Sequence, residues 1–284
     1  LDALTEFSES YRECEALRTF VAGNFPADEA WLGVAAQSLG AVPLEMFRAI
    51  GTYAHAQRMR LHTHVSTLAA ENAACVEEYG RTPIALLGEC GLIDKRFTAV
   101  GAIHLAEDEI RLLGNARASV CVCPISEQNL GLGTAAVGKL AAAGAGIALG
   151  TDRQVQIDLM ANARLLEYAL RTGDSTHGDG ADPAATWWHA ATVAGARSLG
   201  STTGALEVGR PADFFTVNLF DPAVAGAAPE NLLAGIVLGL ERRAIREVWV
   251  GARPIISGGR HAFQGPIVGR FVELQKRLWA DVSA

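Results

Sequence analysis

The chain has 284 residues, 50% hydrophobic and 19% charged, with 24 Lys and Arg against 31 Asp and Glu for a formal net charge of −7. That length suits one large domain or a domain with an appendage, and the acidic balance, with a pI near 5.5, excludes the basic footprint of a general nucleic-acid binder. No uncharged apolar run reaches the roughly 18 residues of a membrane span and no signal-peptide pattern opens the sequence, so a cytoplasmic protein without nucleic-acid or membrane partners is expected.

The opening stretch LDALTEFSESYRECEALRTF reads as an amphipathic helix. Five short, nearly continuous apolar runs follow, at 31–38, 59–65, 98–105, 118–124 and 146–152. Such runs fit parallel strands buried on both faces. Helical patterns separate them at 43–57, 68–79 with 83–90, 107–114 and 134–143. Five strand-then-helix units in succession predict an α/β fold, either a barrel or a doubly wound sheet. A further helix, DLMANARLLEYALRT, leads to a Gly/Asp-rich loop at 176–183 and a helix start at Pro183. From about residue 201 the text changes to short strands and turns, and a terminal helix closes the sequence. The expected domains are an α/β portion over 1–200, a small β appendage over 201–265 and a helix over 266–284.

Polar residues decide between the two α/β folds. Gln37, His62 with His64, His104 and Asp152 all fall at or near the C-terminal ends of different predicted strands, where barrel enzymes keep their chemistry. No G-x-G-x-x-G or Walker loop follows any strand, which disfavours a nucleotide-binding sheet. A partial (β/α)8 barrel of the TIM type is therefore expected, with five units in place of eight.

His62 and His64 are two apart on a predicted strand, so both rings point to one face. Two neutral imidazoles and a carboxylate from a neighbouring strand suit zinc or another divalent ion. Asp152 is the candidate third ligand, and also a proton acceptor for a metal-bound water. On spacing alone, two histidines satisfied by hydrogen bonds in a polar pocket are the commoner arrangement, since H-x-H is a weak metal signal. His104 is read as contacting substrate or as a packing residue. The five cysteines include no C-x-x-C pair and leave an odd count, in keeping with a reducing compartment. Cys121 and Cys123 alternate along an apolar run and are expected to share one face as small core residues.

The text from His62 through VCVCPISEQNLGLG to ALGTDRQVQIDLMANARLLEYALR resembles the formimidoylglutamate deiminase family of the amidohydrolase superfamily. The stretch GALEVGRPADFFTVNL is similar to that superfamily's β-sandwich return. The likeness runs from about residue 30 onward and corresponds to the C-terminal two-thirds of the family, so a chain shortened at its N-terminus and holding barrel strands 4–8 is expected. The resemblance implies one bound metal, usually zinc, and release of ammonia from N-formimino-L-glutamate in histidine breakdown. By position His64 matches the strand-5 metal ligand, with His62 before it, and Asp152 matches the strand-8 aspartate. His104 matches the second histidine of the strand-6 motif.

The departures fall on chemical positions. The acid/base Glu of the family's H-x-H-x-x-E text is Thr67 here, and threonine cannot shuttle a proton near neutrality. Glu71 is close in sequence but, lying on the following helix, is expected to point away from that position. The strand-6 histidine that polarises the reacting group is Gly101. The arginine implied for a substrate carboxylate is Gly40, its neighbouring His is Gln37, and the Ser after the aspartate is Arg153. Arg153 is expected to contact substrate or to neutralise Asp152 by ion pairing. The resulting expectation is a small-molecule hydrolase with impaired activity, against a non-catalytic binding protein on the same fold or a related purine or pyrimidine deaminase. Unpaired sheet edges point to a homo-oligomer.

Overall fold

The structure is a computed structural model, and it describes residues 3–153, 156–172 and 182–280. The chain divides into two compact units, 1–204 and 205–284.

In the first unit, helix α1 (Ala3–Asn24) precedes a five-stranded, all-parallel sheet: β1 (Val34–Ala35), β2 (Leu61–Val65), β3 (Phe97–Gly101), β4 (Ser119–Val122) and β5 (Gly146–Leu149). The strands lie in sequence order, each hydrogen-bonded to the next. Helices α2 (Leu44–Ala56), α3 (Ala69–Tyr79), α4 (Pro83–Glu89), α5 (Glu107–Asn115), α6 (Pro124–Asn129) and α7 (Val137–Ala143) make the crossovers. Parallel strands require such connections. Leu61, Val65, Phe97, Ala99, Val120 and Val122 form one buried face of the sheet, and Phe47, Ile84, Leu87, Leu113 and Leu140 are among the buried residues of the crossover helices. Helix α6 has no counterpart among the predicted helices. Pro124 at its first turn ends β4 and starts the helix at once.

Helix α8 (Leu159–Thr172) is capped by the Asp158 side chain, which accepts from the backbone N–H groups of Met160 and Ala161 at 2.9 and 3.0 Å. Loop residues 176–181 lie outside the described residues, and α9 (Pro183–His189) begins at the expected proline, with Asp182 accepting from the N–H of Ala184. A π-helical turn over Ala190–Ala194 joins α9 to α10 (Gly195–Leu199). Glu167 of α8 is fully buried and fully satisfied: Arg171 donates to one oxygen at 2.6 Å and the Trp187 indole to the other at 2.7 Å. This carboxylate fixes α9 on α8.

The second unit contains a four-stranded antiparallel sheet in the order β6 (Phe214–Val217), β7 (Ile245–Val250), β8 (Arg253–Ser257), β9 (Arg260–His261). Phe214 stacks on its register partner Trp249 with ring centroids 5.7 Å apart. Helix α11 (Pro229–Gly239) supplies Leu232 and Ile236 to a small core of Val224, Leu240 and Ala244. Helix α12 (Gln264–Ala280) buries none of its residues. Among the described residues no helix is long and apolar enough to cross a membrane.

Candidate active site

Alternation along β2 buries Leu61, Thr63 and Val65 and leaves His62 and His64 half-buried on the opposite face. Register extends that face across the sheet. His62 pairs with Thr98 and Thr98 with Ser119, while His64 pairs with Val100, Val100 with Cys121 and Cys121 with Ala148. The two histidines have different surroundings. The Nε2 of His62 lies 2.9 Å from the carbonyl oxygen of Ser198 in the last turn of α10, so that nitrogen carries the proton and donates. Burial pushes the His62 pKa down, opposed by this hydrogen bond, with the Arg60 charge adding to the lowering. Burial and the Arg60 charge both favour the neutral ring. His64 has no side-chain hydrogen-bond partner among the described residues, and its backbone N–H donates to the carbonyl of Gln37 at 3.0 Å.

Gln37 lies two residues beyond the short β1 and is exposed. Asp152 and Arg153 follow β5 and are exposed, Asp152 with φ +37°. No ion pair joins them, so the expected neutralisation of Asp152 by Arg153 is not formed. His104 does not end a strand. β3 stops at Gly101, where φ is +86° and the next residue, Ala102, has φ +50°. A reversal there carries His104 onto an exposed loop, tied by its N–H to the Ser66 carbonyl at 2.9 Å and by its carbonyl to the Asn72 side-chain amide at 2.7 Å.

Thr67 and Gly101 face each other across the ends of β2 and β3. A Cβ on Gly101 would lie 2.6 Å from Thr67 Oγ1, well inside van der Waals contact. Glu71 is engaged by the backbone. It turns back from the first turn of α3 and accepts the Thr67 backbone N–H at 2.9 Å, which ties the helix to the segment that leads into it. Gly40 is open, with only Ser38 Oγ, at 3.9 Å, near the position of a Cβ.

A carboxylate that motif reading passed over sits at the end of β4. Glu127 is 4% exposed, and its Oε1 accepts the N–H of Cys123 at 2.7 Å. Burial pushes its pKa up to about 7; the negative charge of Asp152 adds to this, and the Cys123 N–H opposes it. Ser126 Oγ donates to the Thr151 carbonyl at 3.0 Å, which ties α6 to the segment bearing Asp152. The buried Asn162 accepts the Ile125 N–H at 3.1 Å and so fixes α6 against α8.

The sequence profile of the amidohydrolase family matches residues 4–259. This chain belongs to the amidohydrolase family. It is 29% identical over 252 residues to a formimidoylglutamate deiminase of Pseudomonas aeruginosa, covering 87% of this chain and 55% of that protein. It is 31% identical over 206 residues to a 5-methylthioadenosine/S-adenosylhomocysteine deaminase of Moorella thermoacetica, covering 70% and 47%. It is 31% identical over 218 residues to an 8-oxoguanine deaminase of Pseudomonas aeruginosa, covering 75% and 47%. The chain thus spans about half the length of the curated relatives it matches. Among solved structures, an adenosine deaminase from Xanthomonas campestris with bound zinc superposes with a TM-score of 0.85 at 26% identity, over 96% of this chain and 61% of that one. A triazine hydrolase variant gives 0.85 at 21% identity over 94% and 59%, a likeness of fold alone.

The residues of this amidohydrolase do not fit a zinc ion as they stand. Such a site needs three or more protein ligands, and among the described residues no group of three His, Cys, Asp or Glu side chains is placed to hold a metal. The Nε2 of His62 is also already engaged. Two features of the site lay outside sequence reach: the Ser198 carbonyl, 136 residues from His62, and buried Glu127, for which the only local signal was a glutamate three residues after the proline that starts a helix.

Proposed function

We propose that this amidohydrolase chain derives from a hydrolase that cleaves the C–N bond of N-formimino-L-glutamate and releases ammonia, and that its own turnover is weak. The observation that carries the reading is the 252-residue match to a formimidoylglutamate deiminase, which takes in 87% of this chain. In this reading Asp152 takes a proton from the attacking water, His64 faces the reaction space, and Gln37, His104 and Arg153 line the approach of a small acidic substrate. The cationic side chain of Arg153 suits the glutamate carboxylates. Thr67 cannot supply the proton transfer expected of a carboxylate, which costs about 10²–10⁴ in rate. Zinc or another divalent ion belongs to the family chemistry, and no step is assigned to it with the present residues.

A second reading is favoured by the 31% identities to deaminases of 5-methylthioadenosine and of 8-oxoguanine: a deaminase of a purine ring. A third is a ligand-binding protein without turnover, in line with Thr67 and Gly101. Ammonia release should be measured from N-formimino-L-glutamate, 5-methylthioadenosine and 8-oxoguanine, with and without added zinc, together with equilibrium binding of each. Slow release from N-formimino-L-glutamate alone is expected. Release from either purine alone would move the assignment to ring deamination, and saturable binding without ammonia would establish the non-catalytic reading.

A further inference from the structure

Cys121 and Cys123 have no role in the reading above. Cys121 is half-buried on the sheet face that carries His64, and Cys123 is buried just past the end of β4. Both sulfurs close over one backbone position. An atom at the Cβ position of Gly150 would lie 2.7 Å from the Sγ of Cys121 and 2.7 Å from that of Cys123. Neither thiol is in a disulfide. The other three cysteines are dispersed: Cys14 in α1, Cys75 in α3 and Cys90 after α4, where Arg48 Nε donates to its sulfur.

The hydrogen bond with Cys121, then burial, then the charges of Cys121, Glu127 and Asp152 hold the Cys123 thiol protonated. The pair is therefore a poor source of free thiolate. The same negative surroundings favour a reagent that replaces both thiol protons and leaves no added negative charge.

We propose that Cys121 and Cys123 form a chelating dithiol site for soft electrophiles that accept two sulfurs, namely the mercuric ion and monosubstituted trivalent arsenicals. With an arsenical oxide, two As–S bonds form and the As=O oxygen leaves as water with the two thiol protons. With the mercuric ion, two Hg–S bonds form and two protons are released. Neither step transfers electrons. The missing side chain at Gly150 supplies the space that the bridging atom takes.

Phenylarsine oxide is the probe, read by intact-protein mass spectrometry in excess monothiol. One equivalent should be retained per chain and be removed by a competing dithiol. Because chelation turns the second bond into an intramolecular event, Cys121→Ser and Cys123→Ser should each weaken retention by about a hundredfold or more. The combined Cys14→Ser, Cys75→Ser, Cys90→Ser variant should retain the reagent as the parent does. Gly150→Ala keeps both thiols and should also weaken retention, with circular dichroism checking that each variant is folded. Unchanged retention in Cys121→Ser, or loss in the triple variant, overturns the proposal. So does a folded Gly150→Ala that matches the parent. These readouts do not depend on ammonia release, so the site and the hydrolase reading stand or fall separately.

Discussion

The hydroxyl of Thr67 fills the space that a side chain at residue 101 would need, since a Cβ on Gly101 would meet Oγ1 at 2.6 Å. The two positions are therefore one structural unit. Restoring a side chain at 101 alone drives it into Thr67 and also strains a backbone with φ +86°. Gly101→Ala should destabilise the protein by about 1–3 kcal/mol. Adding Thr67→Gly should recover the steric part and leave roughly 1 kcal/mol of backbone strain. Urea denaturation of the two single variants and the double variant measures the coupling; strict additivity would falsify the mutual packing.

Two groups give the stability curve opposite pH slopes. The Glu127 pKa is raised from 4.5 to about 7, so the folded state binds its proton more tightly than the unfolded state. Its contribution is fully present below about pH 4.5 and is lost as pH rises towards 7, a change of roughly 3 kcal/mol at most. His62 is shifted down from 6.5. Its contribution is present above that value and is lost as pH falls through the folded-state value. Glu127→Gln should therefore remove the decline between pH 4.5 and 7. Midpoints of urea unfolding at pH 5 and pH 8, compared between this variant and the parent, check it, and identical pH dependence in the two would sink the assignment.

The two histidines of β2 should respond differently to mutation. His62→Ala leaves the Ser198 carbonyl without its 2.9 Å donor and should cost about 1–3 kcal/mol. His64→Ala removes no side-chain hydrogen bond and should stay within about 1 kcal/mol of the parent. Equal losses in thermal or chemical unfolding would mean that His64 has a structural partner of its own.

Glu167 is buried between Arg171 and Trp187. Removing the Arg171 side chain takes the 2.6 Å donor from an oxygen of a fully buried carboxylate, and Arg171→Ala should cost up to about 3–5 kcal/mol. The 59% exposure of Arg171 places the value at the low end of that range. Trp187→Phe, which removes only the indole donor, should cost about 1–3 kcal/mol. Hydrogen exchange should show both effects concentrated in α8 and α9, and a loss spread evenly over the unit would count against the joint.

Among the described residues β1 and β5 each pair with a single neighbour, so both edges of the parallel sheet are open. Open edges invite pairing with another chain. Light scattering on the purified chain should show self-association that increases with concentration. A monodisperse monomer up to millimolar concentration would rule that out.

The sequence by itself determined the α/β pattern, the order of the parallel strands and the placing of His62 and His64 on one face, because strand alternation and βα succession are local properties. It also placed Pro183 at a helix start and Cys121 with Cys123 on one side of β4. The tertiary structure alone decided the rest. A left-handed turn at Gly101 and Ala102 moved His104 off its strand, and the Thr67 backbone N–H took up the Glu71 carboxylate. Packing of α10 beneath the sheet took up His62 through Ser198, and the joining of α6 to the end of β5 brought Glu127 towards Asp152. Those outcomes depend on which distant groups end within 3 Å of each other in a medium that makes every buried polar atom seek a partner, and no periodicity in the chain encodes that distance.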